Sequence, residues 1–111
     1  MILSKDGLQS AEWKEKGYVL PQFDFDKVCE NTKKSPFWIH FGAGNIFRAF
    51  QANVVQNLLN NGVIDSGLVV AEGYDYEIIE KMYKPHDNVG ALVTLKGNGS
   101  VEKTVVASIM E

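Results

Sequence analysis

The chain has 111 residues and a formal net charge of −3, with 45% hydrophobic and 23% charged residues. A chain of this length makes one domain at most, and these shares exclude disordered and fibrous classes. The basic residues are dispersed and form no stripe that could neutralise a nucleic-acid backbone, so we expect no nucleic-acid partner.

Cysteine content and apolar runs bear on the compartment. Cys29 is the one cysteine, which excludes an internal disulfide, and no Cys/His spacing matches a zinc site. The first residues lack the apolar core of a secretory leader, and no apolar run approaches the roughly 18 residues that a membrane span needs. We therefore expect a cytoplasmic protein with no metal and no membrane partner.

Residues 1–36 are polar and interrupted by glycines and prolines. They predict an N-terminal arm that carries one short helix near 24–31, and we divide the chain there, into 1–36 and 37–111. The next segment, Phe37 to Phe41, is a short apolar run that stops at glycines, as a buried parallel strand does.

A repeating apolar pattern follows the first strand. From Asn45 to Leu59 apolar residues recur at steps of three and four, which predicts an amphipathic helix. Leu68 to Ala71 is a second short apolar run. Strand, glycine turn, helix and strand together make one βαβ unit.

The remainder of the chain changes character. Asp75 is placed to cap a short helix that Pro85 ends, and the runs 91–95 and 101–106 flank a glycine-rich loop, which predicts a β-hairpin. The chain stops at Glu111 directly after an apolar stretch, so we expect a truncated domain. The fold class predicted is α/β, a partial Rossmann-like domain of a βαβ unit, a short helix and a hairpin.

The glycine turn is the strongest chemical signal. In a dinucleotide-binding turn the first glycine makes the tight exit from the strand, and the second lets the backbone approach the pyrophosphate. Gly42 and Gly44 fit these roles, but Phe47 stands where the usual third glycine is expected. The pattern alone is therefore also compatible with a tight strand-to-helix turn that binds nothing.

Two charged residues favour a ligand. Glu72 ends the second strand, where an acid accepts hydrogen bonds from the adenosine ribose and repels the extra phosphate of NADP, so NAD is favoured. The alternatives are a solvated loop glutamate, or Asp75 in the same role. Arg48 lies in the first helical turn, where a cation is mildly disfavoured, and it either reaches an anionic ligand or pairs with a carboxylate.

Other residues predict packing. His40 lies within the apolar strand and is interpreted as a core histidine, and Trp13 and Trp38 are interpreted as packing residues. No serine, cysteine or carboxylate pair stands beside a base at a recognisable spacing, so nucleophilic and glycosidase chemistry find no support.

The string from Trp38 to Ala52, WIHFGAGNIFRAFQA, closely resembles the opening of the polyol-specific long-chain dehydrogenases, the family of mannitol 2-dehydrogenase and fructuronate reductase. That family has a bulky residue at the position of Phe47 and Arg-Ala directly after it. The resemblance implies NAD-dependent, metal-independent interconversion of a sugar alcohol and a keto-sugar or ketohexuronate. The predicted cofactor-binding residues are Gly42, Ala43, Gly44, Asn45, Ile46, Phe47, Arg48 and Glu72.

The resemblance also implies that the catalytic lysine, asparagine and histidine lie in later segments that no position here matches, so we predict no catalytic residue in this chain. The expected partners are a small sugar or polyol, the remainder of the chain, and a second copy of this piece. Two alternatives stay open: a stand-alone nucleotide-binding or interaction module, and an S-adenosylmethionine-dependent methyltransferase. The second usually has an acid at the position of His40.

Overall fold

A computed structural model describes residues 1–111, and its N-terminal part consists of a 3₁₀ turn over Gly7–Gln9, two helices and one strand. Helix α1 spans Glu12–Glu15, strand β1 spans Tyr18–Val19 and helix α2 spans Phe25–Lys34. Helix α2 begins after Asp24, whose side chain accepts a hydrogen bond from the backbone N–H of Lys27. The predicted short helix is thus confirmed and runs three residues further than expected, from 24–31 to Lys34.

The βαβ unit forms as predicted at its two strands. Strand β2 spans Trp38–Phe41 and strand β3 spans Leu68–Ala71. The single helix predicted between them is wrong, because it divides into α3, Asn45–Ala49, and α4, Gln51–Asn60. Phe50 separates them with φ −103° and ψ −74°, away from the ψ of about −42° of a regular helix.

Beyond β3 the chain forms one irregular helical segment. Helix α5 spans Tyr76–Ile78, continues as a π-helical turn over Ile79–Tyr83 and ends as a 3₁₀ turn over Lys84–His86. Pro85 therefore does not end the helical segment as predicted. It lies in the first residues of the new 3₁₀ turn, where its missing N–H leaves no hydrogen bond unmade.

The predicted hairpin is confirmed. Strand β4 spans Gly90–Leu95, strand β5 spans Val101–Val106, and the two pair antiparallel. Strand β1, which the sequence did not predict, adds to β5 in parallel, with Tyr18 opposite Lys103. These three strands form one sheet in the order β1-β5-β4.

Strands β2 and β3 form a separate parallel sheet, and residues 108–111 lie along its β3 edge. The backbone N–H of Leu68 donates to the carbonyl of Ser108 at 2.9 Å, and the N–H of Met110 donates to the carbonyl of Leu68 at 2.8 Å. Leu68 and Ile109 pair as a parallel bridge. The two parallel strands that the sequence predicts are confirmed, and a single parallel bridge at Ile109 adds to the β3 edge of their sheet.

The core joins these pieces in two clusters. The larger cluster contains 11 buried residues and lies around helices α3 and α4 and strand β3. The smaller cluster centres on Trp13, which is 4% exposed and packs with Val89, Val105 and Ala107. Residues on both sides of the predicted boundary at residue 36 therefore pack into the same two clusters.

Candidate cofactor site

The site lies where the parallel strands β2 and β3 end side by side. Their register places Phe41 opposite Ala71, and the N–H of Gly42 extends the ladder to the carbonyl of Ala71 at 2.7 Å. The residues after each strand, a glycine turn and Glu72, are therefore neighbours. This is the edge of a parallel sheet at which ligands bind in open α/β folds.

Gly42 and Gly44 shape the turn in different ways. Gly42 has φ +113°, a conformation that side chains rarely adopt, and it makes the sharp exit from β2. Gly44 has an extended backbone and precedes α3 without any side-chain cap. A Cβ added at Gly44 would meet nothing within 4 Å, so the backbone there faces open space. The first N–H groups of α3 have no partner within the helix.

Ala43 lies between these glycines and is 0% exposed, and both its backbone N–H and its carbonyl are hydrogen-bonded to side chains. Its N–H donates to Oε1 of Glu72 at 2.9 Å, and its carbonyl accepts from the hydroxyl of Tyr83 at 2.9 Å. Tyr83 is itself 2% exposed. Two side chains that are distant in sequence thus fix the centre of the turn.

Glu72 is anchored at both carboxylate oxygens. Besides the bond from Ala43, its Oε2 accepts from the backbone N–H of Tyr74 at 3.2 Å and of Asp75 at 3.4 Å. The N–H of Ala43 and then that of Tyr74 lower the pKa of Glu72 below its ordinary value of 4.5. Asp75, the competing acid, instead caps α5 by accepting from the N–H of Ile78 at 3.3 Å.

The ring of Phe47 explains the missing third glycine. Phe47 is 4% exposed and stacks on His40 with ring centroids 4.1 Å apart and an angle of 19° between the ring planes. His40 is half-buried, and its Nδ1 lies 3.0 Å from the carbonyl oxygen of Gly42. Helix and strand therefore pack through a pair of rings where the usual pattern brings them close through a glycine.

The two tryptophans differ in their surroundings. Trp13 is buried, as predicted for a packing residue, and its indole N–H donates to the carbonyl of Gly7 at 2.9 Å. Trp38 is 38% exposed and contacts His40 edge to face. The interpretation of Trp38 as a packing residue is therefore wrong for this structure, because one side of β2 is uncovered.

Arg48 is paired with no carboxylate. None of the ion pairs in the structure includes it. Its Nη2 donates to Oδ1 of Asn45, its guanidinium carbon lies 5.8 Å from the centroid of the Tyr83 ring, and its Nε is buried without a partner. The positive charge beside the turn is thus not neutralised by the protein.

A cavity of about 480 Å³ opens beside the turn. Asn45, Arg48, Tyr83 and His86 supply polar atoms to its wall, and most of the other lining residues are apolar. Sequence reasoning missed Tyr83, because a single tyrosine in an irregular helical turn carries no motif.

No helix is both long and apolar enough to cross a membrane.

The sequence was compared with family models and with proteins of known function. No family model matches the chain. A D-mannonate oxidoreductase of Thermotoga maritima is 52% identical over 112 residues, which take in 100% of this chain and 21% of that protein. The chain is therefore similar to about a fifth of this oxidoreductase, which supports the predicted resemblance to the polyol dehydrogenase family.

Two solved dehydrogenase structures share the fold of this chain. A D-sorbitol dehydrogenase in substrate-free form matches 100% of this chain with a TM-score of 0.77 at 23% identity. A Pseudomonas fluorescens mannitol 2-dehydrogenase, in a ternary complex with NAD and D-mannitol, matches with a TM-score of 0.74 at 21% identity. The chain spans 21% of the length of each of these proteins. The family resemblance and the partial Rossmann-like α/β fold predicted from the sequence are confirmed.

Proposed function

We propose that this chain holds the cofactor of an NAD-dependent oxidoreductase that interconverts a sugar alcohol or sugar acid with the corresponding keto compound. One observation carries the proposal: the glycine turn after β2 lies directly beside Glu72, with Ala43 N to Glu72 Oε1 at 2.9 Å. The names of the relatives, a mannonate oxidoreductase and a mannitol dehydrogenase with bound NAD, support the reaction class and the cofactor.

The residues of the turn fit a pyrophosphate, though not all in the same way. The N–H groups of Gly44, Asn45 and Ile46 are the proposed phosphate donors, since they stand at an uncapped helix start. The buried Ala43 and Phe47 would act by shaping the turn, because neither exposes atoms to a ligand. We propose that Arg48 adds a positive charge next to the phosphates.

Glu72 is proposed to accept hydrogen bonds from the hydroxyls of the adenosine ribose. Its lowered pKa favours the charged carboxylate at neutral pH. Oε1 accepts only the N–H of Ala43 and so retains a lone pair for a ligand donor. The same charge would repel a phosphate on that ribose. NAD is therefore the proposed cofactor, in preference to NADP.

The nicotinamide, when bound, supplies the hydride acceptor or donor. The residues of this chain would bind and orient the cofactor, while the groups that move the substrate proton belong to parts of the protein outside this stretch. We accordingly propose no catalytic residue among positions 1–111.

Calorimetric titration with NAD and NADP tests this assignment. We expect NAD to bind at least about tenfold more tightly than NADP, and Glu72→Ala to weaken NAD binding by about tenfold or more, which corresponds to about 1.4 kcal/mol. Glu30→Ala, at an exposed glutamate of α2, is the matched control and should leave both affinities unchanged. Equal binding of the two cofactors, together with no effect of Glu72→Ala, would remove the role given to Glu72.

A further inference from the structure

We propose that Tyr83 is a positioning residue for the phosphate-binding turn: its hydroxyl holds the Ala43–Gly44 peptide in the orientation that presents the Gly44 N–H to the cofactor pyrophosphate. This inference rests on the proposed function, and it assigns to Tyr83 a part that no sequence pattern suggests. Tyr83 touches neither the substrate nor the reacting atoms in this account.

The planarity of the peptide bond links the Ala43 carbonyl to the Gly44 N–H. The carbonyl of Ala43 and the N–H of Gly44 belong to one trans peptide, so they point in opposite directions. The Tyr83 hydroxyl donates to that carbonyl at 2.9 Å from a side chain that is 2% exposed. Because the carbonyl is thus directed into the core, the Gly44 N–H is directed away from it, toward the open side of the turn.

The flanking glycines make such a hold necessary. Gly42 has φ +113°, and Gly44 is the N-cap residue of α3 and has no side chain to cap it, so both ends of the turn lie at residues with wide conformational freedom. A rotated Ala43–Gly44 peptide would turn a carbonyl oxygen toward the pyrophosphate and repel it. Glu72 restrains only the preceding peptide, through the N–H of Ala43.

Tyr83 also supports the cation of the site. The guanidinium of Arg48 lies over its ring, 5.8 Å from the centroid, and the two residues share the wall of the cavity beside the turn. Burial raises the pKa of Tyr83 to about 12, so the hydroxyl keeps its proton and remains a donor throughout the neutral range. One side chain therefore orders both a donor N–H and a positive charge.

Tyr83→Phe tests the proposal, because it removes the hydroxyl and keeps the ring under Arg48. Tyr76→Phe is the matched control, since Tyr76 is 65% exposed and its hydroxyl donates to no protein atom. We expect calorimetry to show NAD affinity reduced about tenfold or more in Tyr83→Phe and unchanged in Tyr76→Phe. We also expect NMR to show a displaced Gly44 amide resonance in the first variant only.

The outcomes separate the two proposals. A wild-type protein that binds no NAD overturns the proposed function. A wild-type protein that binds NAD, with Tyr83→Phe binding equally well and its Gly44 amide unmoved, overturns only the role of Tyr83. If Tyr83→Phe does not fold, the wild-type protein still decides the matter: its Gly44 amide proton should shift downfield as NAD saturates, and an unmoved resonance contradicts the inference.

Discussion

At the residue scale, Glu72 connects the two functions of the site. Its carboxylate closes the turn through Ala43, and its lowered pKa favours the charged form that the proposed contact with a ribose requires. The sequence predicts this residue, because an acid at the end of the second strand binds the ribose hydroxyls in dinucleotide-binding folds. Tyr83 cannot be found in that way, because its contact with Ala43 spans 40 positions and depends on how a π-helical turn packs.

The titration of Glu72 gives the first residue-scale prediction. Because its pKa in the folded protein lies below the ordinary value of 4.5, Glu72 stabilises the fold above pH 4.5, and that contribution is lost as the pH falls through its folded pKa. Carboxyl-carbon NMR should show Glu72 titrating below 4.5. Titration at or above that value would mean that the bond from Ala43 does not hold in solution.

Tyr83 gives a second titration at the opposite end of the pH scale. With its pKa raised from 10.0 to about 12, the neutral hydroxyl favours the folded state below pH 10, and this contribution is lost as the pH rises toward 12. Ultraviolet difference titration of the wild type against Tyr83→Phe isolates this phenol from the other tyrosines. A difference titration with its midpoint at pH 10 would contradict the burial of Tyr83.

At the element scale, polar side chains tie α4 to the end of β5. Gln56, which is 0% exposed, donates from Nε2 to the carbonyl of Val105 and accepts the N–H of Ala107 at 2.8 Å. Ser108 donates from its hydroxyl to the carbonyl of Ala52 at 2.6 Å. The segment that leaves the hairpin is thereby held against the helix before it forms its bridge to β3.

Gln56→Ala should therefore be strongly destabilising. It leaves a buried carbonyl and a buried N–H without partners, each worth about 1–3 kcal/mol, so we expect a loss of about 2–6 kcal/mol in the free energy of unfolding. Urea denaturation measures it. Asn57→Ala, at an exposed neighbour on the same helix, is the control and should stay within about 0.5 kcal/mol of the wild type. Equal stabilities for the two variants would contradict the proposed tie.

Periodicity explains which elements the sequence could predict. Apolar spacing located β2, β3 and the hairpin, since those patterns are local. It could not locate β1 or the bridge at Ile109, because these residues pair only with partners that are distant in the sequence. The break at Phe50 was missed for a similar reason: the apolar spacing continues through it, although the backbone does not.

At the scale of the whole molecule, strand β2 and the helices after it leave apolar side chains exposed. Strand β2 has a partner on one edge only, and the apolar side chains on and after it are exposed. The exposed group consists of Phe37, Trp38, Ile39, Phe41, Ile46, Phe50 and Val54. Such a patch beside a free strand edge favours association. We propose that further parts of the protein, or a second copy, cover it.

Light scattering tests the self-association of this chain. We expect an apparent mass above that of a monomer at high concentration, and a lower one for Ile39→Lys, which puts a charge on the exposed edge strand. Val63→Lys is the control, because Val63 is 67% exposed but lies outside β2 and the helices that follow it. A clean monomer for the wild type would contradict the prediction.

The central claim is that the turn at Gly42 to Ile46 holds a dinucleotide next to Glu72, and a crystal structure of the protein with NAD tests it most directly. We expect a pyrophosphate within hydrogen-bond distance of the N–H groups of Gly44, Asn45 and Ile46, with the adenosine ribose hydroxyls on the carboxylate of Glu72. A dinucleotide bound elsewhere, with this turn and Glu72 contacting only solvent, would contradict it.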